Sequence, residues 1–267
     1  MICRCPSVAG MGYLRLLFLP IAAQALCASA PLVPAIELVL PVDCAMGETC
    51  FIQKYVDRDP GAARLDYHCG QLTTQGHDGT DFRLRDMADM RRGAAVLAAA
   101  DGTVLRVRDG EPDIDVRRRT DLGGRDAGNG VVIDHGQGWE SQSSHMRAGS
   151  VAVRPGQRVR AGDRIGLIGM SGQAEFPHLH FALRYQGQPV DPFTGPFKPG
   201  TCTTDSSSGW LWTRSAARAL GYRPGVVITG GLAPSIPPAS VADRGNLPDM
   251  ARNSANLIFW VDVIGAR

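Results

Sequence analysis

The sequence predicts a mainly β protein: an antiparallel β-sandwich or partly open barrel-like domain, followed by an appended C-terminal region. Two observations predict it. Gly 32 and Pro 18 in 267 residues, with aromatics at 6%, favour many short strands and turns over long helices. From about 66 to 200, short apolar or alternating runs are divided by turn signals, which is the rhythm of an antiparallel β-domain.

The elements follow in order. Residues 1–30 carry only Arg4 and Arg15 as charges, then Leu16 to Ala23, then Ala28-Ser29-Ala30. A positive start, a short apolar run and a small-x-small ending describe a secretory signal peptide. The run is too short, and too interrupted by Pro20 and Gln24, for a membrane span. No later stretch reaches that length, so no transmembrane span is expected once the leader is removed. Residues 31–65 read as an irregular N-terminal segment with one apolar run, Ile36 to Val42.

The 66–200 domain begins its regular rhythm with Ala94 to Ala98. Asp101-Gly102 is a turn, and Thr103 to Arg108 alternates after it. Val131 to Ile133 forms a strand. Gln157 to Arg160 lies between the turns Pro155-Gly156 and Ala161-Gly162-Asp163. Ile165 to Gly169 leads to a loop at Ser171-Gly172, and Gln186-Gly187 turns the chain after a strand at 175–184.

Residues 201–267 are expected to form a β-rich extension. Residues 203–209 read as a linker. Trp210 and Trp212 read as packing anchors, Thr213 to Leu220 as a short helix, and 233–239 is Pro-rich. Leu257 to Ile264 is a strong strand three residues from the end, which predicts a truncated sequence.

Charge excludes one class. The chain has 28 basic and 26 acidic residues, and loss of Arg4 and Arg15 with the leader leaves the two signs equal. No basic footprint for nucleic acid remains. Loss of Cys3, Cys5 and Cys27 leaves Cys44, Cys50, Cys69 and Cys202, an even set suited to two disulfides in an exported protein. Of the three pairings, a local Cys44–Cys50 loop and a long Cys69–Cys202 clasp are favoured. A Cys-ligated zinc is disfavoured because the chain has no Cys-x-x-Cys pair.

Two short stretches carry chemistry. In "EFPHLHFALR" a strand puts Leu179, Phe181 and Leu183 on a core face and His178 and His180 on the other. In "GHDGTDF" the two glycines argue against a helix. In an extended or looped segment His77, Gly79 and Asp81 share a face. Two imidazoles and a carboxylate make a three-ligand site that suits zinc and leaves a fourth position for water. Zinc lowers the pKa of such a water to about 7. His135, beside Val131 and Ile133, reads as structural. His68 reads as incidental, Asp78 as solvated and turned away from Asp81, and Asp101 and Asp163 as turn residues.

His-x-x-x-Asp followed by His-x-His, with "RPGQRVRAGDRIGLIGMSG" before the second motif, resembles the lysostaphin-like, or LytM-type, zinc metallopeptidases. The resemblance covers about residues 66–195. It implies a zinc metallopeptidase domain with one zinc per chain, His77, Asp81 and His180 as ligands, and His178 and His145 as catalytic residues. The two would share proton transfer, orientation of the water and hydrogen bonding to the oxyanion. Members often carry Tyr two residues before the histidine that matches His145; here it is Ser143. Some use a tyrosine near the domain start, for which Tyr67 is a weak candidate.

The resemblance further implies an exported endopeptidase of the periplasm or cell envelope, with peptidoglycan as substrate. It allows an envelope regulator or an amidase as partner. Three rivals stand beside it. One is a non-catalytic module that binds peptidoglycan or activates a cell-wall amidase. Another is a secreted protease acting on protein. The third is a closed structural zinc site. Retention of all five histidine and aspartate positions favours the enzyme.

Overall fold

A computed structural model describes residues 35–204, 210–238 and 255–265. The expected leader, with Cys3, Cys5 and Cys27, and residues 205–209 of the expected linker lie outside the described residues.

The first strands are β1 (Val42–Asp43), β2 (Cys50–Lys54), β3 (Gly79–Leu84), β4 (Ala95–Leu97), β5 (Gly102–Arg108), β6 (Asn129–Gly136) and β7 (Trp139–Met146). They are followed by β8 (Arg158–Val159), β9 (Arg164–Leu167), β10 (His178–Tyr185), β11 (Gln188–Val190), β12 (Val226–Ala233) and β13 (Ile258–Ile264). The helices are short: α1 (Met87–Arg92) and α2 (Arg214–Ala219).

All these strands pair antiparallel. The main sheet runs β2-β3-β10-β7-β6-β5-β8, with β11 also on β10; a smaller sheet runs β1-β4-β9, and β12-β13 is a two-stranded ribbon. Among the described residues no sheet closes into a barrel. One buried cluster takes Val42, Val96 and Ile165 from the small sheet and Val131, Leu179, Phe181 and Leu183 from the main one.

Alternation along β10 follows the sequence pattern. Leu179 and Leu183 are fully buried and Phe181 nearly so. Each such side chain contributes about 1.5–3 kcal/mol by leaving water. A one-residue slip would expose all three, so burial fixes the register. That register sets His180 opposite Asp81 on β3 and opposite Ser144 on β7.

The expected helix forms as α2, with Thr213 capping it through the Ala216 amide. Trp212 is buried in the main core cluster and Trp210 packs against it. Both favoured disulfides are present, Cys44–Cys50 and Cys69–Cys202. The ribbon packs Ile228 and Ile264 against Phe51. The Arg83 guanidinium donates to the Asp262 carboxylate across the same junction.

Candidate metal centre

The β3–β10 pairing gathers the expected ligand atoms. His77 Nε2 lies 3.0 Å from Asp81 Oδ1, His180 Nδ1 lies 3.0 Å from the same oxygen, and the two nitrogens are 3.1 Å apart. Asp81 is nearly fully buried and the two histidines are mostly covered. Gly79 makes the approach possible. A Cβ there would sit 2.7 Å from the His180 ring and 2.7 Å from the Phe181 carbonyl oxygen.

The remaining nitrogen of each histidine settles which atom is free. The His77 Nδ1–H donates to the Tyr55 carbonyl at 2.8 Å. The His180 Nε2–H donates to Asp78 at 3.1 Å, and Asp78 is held in turn by Arg184 at 2.9 Å. Both partners only accept, so His77 Nε2 and His180 Nδ1 are the nitrogens turned towards the carboxylate, and each offers a lone pair when its ring is neutral. His77, Asp81 and His180 each offer one ligand atom to the same point and could hold a metal ion there. Tetrahedral zinc, with bonds of about 2.0–2.1 Å, spaces its ligands at about 3.3 Å, close to the observed triangle. Two imidazoles and one carboxylate are also a donor set that zinc accepts.

Burial alone would lower His180, but hydrogen bonds to Asp78 and Asp81 outweigh it and lift its pKa to about 9. Burial would raise Asp81, but the surrounding histidines hold it well below the carboxylate range. A His180 proton held between Asp78 and Asp81 contributes to both shifts.

His178 and His145 sit beside this triangle. The His178 Nδ1–H donates to the Phe176 carbonyl at 2.8 Å, leaving Nε2 3.8 Å from Asp81 Oδ1. The His145 Nδ1–H donates to the Ser171 carbonyl at 2.8 Å, and its ring centre is 4.6 Å from that of His178. Burial pushes His178 down to about 4 and His145 well below its ordinary value, so both are neutral at pH 7. His145 adopts φ 59°, a left-handed conformation uncommon for a non-glycine residue. Hydrogen bonds from its amide to Ala127 and from Gly169 to its carbonyl hold it there. The turn lets the consecutive residues Ser144 and His145 both line the groove, where regular strand alternation would separate them.

These side chains form the floor of a groove of about 710 Å³, also lined by Lys54, Gln75, Asp126 and Glu175. Lys54 Nζ is 3.9 Å from Asp81 Oδ2. Asp78 corrects the sequence reading. It is partly solvated, as expected, but it also accepts from His180. The reason is that β3 starts at Gly79, so strand alternation does not extend to position 78. Tyr67 is fully buried, stacked on Phe193 with ring centres 4.8 Å apart, and does not line the groove. His135 is held between the Asp101 carbonyl and the Ser141 hydroxyl, a structural position. His68 stacks on Tyr222. Asp78, Arg184, Lys54 and the carbonyls of Tyr55, Phe176 and Ser171 had no signal in spacing or composition.

Residues 75–192 match Peptidase family M23. The peptidoglycan DD-endopeptidase ShyA of Vibrio cholerae serotype O1 is 36% identical over 115 residues, 43% of this chain and 22% of that protein. The murein hydrolase activator EnvC of Escherichia coli is 44% identical over 62 residues, 23% of this chain and 14% of that protein. Among solved structures, a zinc containing peptidase from Vibrio cholerae is 28% identical, with a TM-score of 0.34, over 54% of this chain and 39% of that one. The chain spans roughly a fifth of the length of the curated relatives it matches first.

Proposed function

We propose, from the premise that residues 75–192 belong to peptidase family M23, that the protein is an exported zinc endopeptidase. Its substrate would be peptidoglycan, cut at amide bonds of the peptide stems or cross-bridges. Residues 66–200 are the catalytic domain, 1–30 an export leader, and 201–267 an extension. His77, Asp81 and His180 hold one zinc ion. The observation that carries the reading is the convergence of three ligand atoms on a groove floor beside two neutral, buried histidines. The match to ShyA supports the substrate.

Bound zinc supplies Lewis acidity, polarising a scissile carbonyl and lowering the pKa of a water. The chain's own residues handle the protons. His178 presents a free Nε2 lone pair and is neutral at pH 7, so it can accept a proton from the attacking water and deliver it to the leaving amine. His145 also presents its Nε2 as an acceptor, which suits it to orienting the water. It can donate towards the oxyanion only after it has itself taken a proton. Lys54 brings a positive charge to the groove beside Asp81.

The test is digestion of purified peptidoglycan by the mature protein as isolated, after chelation, and after zinc is restored, with fragments read by mass spectrometry. Zinc-dependent loss of cross-linked peptides is expected, and the fragments name the bond. His145→Ala should keep its zinc and lose roughly 10²–10⁴ in rate. Near-normal turnover by that variant would remove His145 from the mechanism. The match to EnvC favours a second reading, in which the domain activates a separate hydrolase. A folded, zinc-loaded protein that releases nothing would select it.

A further inference from the structure

A second cavity, of about 300 Å³, adjoins the groove and shares Gln53, Lys54 and Thr74 with it. Arg64 and the loop 70–74 form one side, and Tyr222, Pro224, Ile264 and Gly265 of the extension form another. The extension is fixed there. The Cys69–Cys202 disulfide ties it to the loop, the Tyr222 hydroxyl donates to Asp66 at 3.0 Å, and Tyr222 stacks on His68 with ring centres 4.2 Å apart.

The lining has a marked chemical bias. Lys54 and Arg64 are cations, and no carboxylate lines the cavity among the described residues. Arg64 is exposed and has no ion pair among the described residues, whereas Lys54 is drawn partly towards Asp81. The Gln53 carbonyl oxygen accepts from Arg83 at 2.8 Å, so its amide NH₂ remains as a donor at the junction of cavity and groove. A guanidinium, an ammonium and an amide NH₂ are donors, and the planar guanidinium fork matches a carboxylate.

We propose that this cavity is a subsite for a carboxylate of the peptide bound in the groove, with Arg64 as its principal anchor and the extension as its outer wall. The inference rests on the peptidase reading for the identity of the peptide. It assigns the extension a place in substrate recognition.

The experiment uses two probes: peptide dimers released from peptidoglycan, with carboxylates either free or converted to carboxamides. Their equilibrium binding to the full chain stripped of zinc is measured, so that nothing is cut. The free-carboxylate dimer should bind the wild type about tenfold more tightly than the carboxamide dimer. Arg64→Gln should abolish that difference by weakening only the carboxylate dimer, and Arg64→Lys should restore part of it. Arg64 is exposed, so neither variant threatens the fold. Equal binding of the two dimers to the wild type would overturn the proposal, as would an equal loss for both in Arg64→Gln, or no binding of either to folded protein. The peptidase reading is tested separately with zinc-loaded protein. Carboxylate-dependent binding without cleavage would sink the peptidase and keep the subsite, and cleavage without carboxylate preference would do the reverse.

Discussion

Each of the four groove histidines has one ring nitrogen committed to a partner that only accepts, and this decides what the other nitrogen can do. His77, His145 and His178 are held by carbonyls of Tyr55, Ser171 and Phe176, and His180 by the Asp78 carboxylate. Residue types and spacing made His77, Asp81, His178 and His180 legible in the sequence, because side chains on one strand face recur at even intervals, whereas His145 was singled out only by the family resemblance. The carbonyls were not legible, since any residue supplies one and only the fold aims it. Nor was the left-handed φ of His145, which no local glycine or asparagine signals. Asp78 carries a prediction at this scale. A carboxylate behind a ligating imidazole fixes its tautomer and raises its basicity, and losing such a partner typically costs 10–100-fold in metal affinity. Asp78→Ala should weaken zinc by about that factor in a chelator competition, with the metal-free protein still folded. Unchanged zinc affinity would show that Asp78 merely neighbours the site.

At the scale of elements, β10 was the most legible, since Leu179, Phe181 and Leu183 alternate along it and all are buried in the core. β4, β5, β6, β9 and β13 were also visible as apolar or alternating runs. β7 was not. Its sequence, Trp-Glu-Ser-Gln-Ser-Ser-His-Met, has few strand-forming side chains, and it is strand because β6 and β10 pair with it on either side. β2 lies in the segment read as irregular, yet it joins the main sheet beside β3 and brings Lys54 opposite Asp81. The β3–β10 pair shows how closely the site depends on backbone spacing. Gly79→Ala would place a methyl 2.7 Å from both the His180 ring and the Phe181 carbonyl oxygen. The strands must part or the imidazole must move, and overpacking of this kind costs about 1–3 kcal/mol. Urea unfolding should show that loss, and chelator competition should show weaker zinc binding in the same variant. A variant with wild-type stability and zinc affinity would mean that the β3–β10 contact yields readily to an added methyl.

Over the whole molecule, the even set of cysteines left after the leader predicted two cross-links, and their pairing joins the 66–200 domain to the extension through Cys69 and Cys202. The sequence could not disclose one buried acid that bears on pH-dependent stability. Asp191, just past β11, is fully buried. Its Oδ1 accepts from the Phe193 amide at 2.9 Å, while Oδ2 has no hydrogen-bond partner among the described residues. Burial pushes its pKa up to about 7, against the pull of the Phe193 amide and the Arg58 charge. The unfolded chain releases this proton near pH 4, whereas the native chain keeps it until about pH 7. The contribution of the group is therefore fully present below about pH 4 and is lost as pH rises to about 7. At about 1.4 kcal/mol per pH unit, roughly three units amount to at most about 4 kcal/mol. Depressed carboxylates such as Asp78, held down to about 2 chiefly by its hydrogen bond to His180, act in the opposite sense, so the raw stability profile mixes the two. The difference between Asp191→Asn and wild type isolates the one group. Urea unfolding at intervals from pH 4 to pH 8 should show the variant gaining steadily on the wild type up to about pH 7 and then holding a constant margin. A margin independent of pH would mean that Asp191 is ionised in the native state, with Arg58 close enough to compensate its charge.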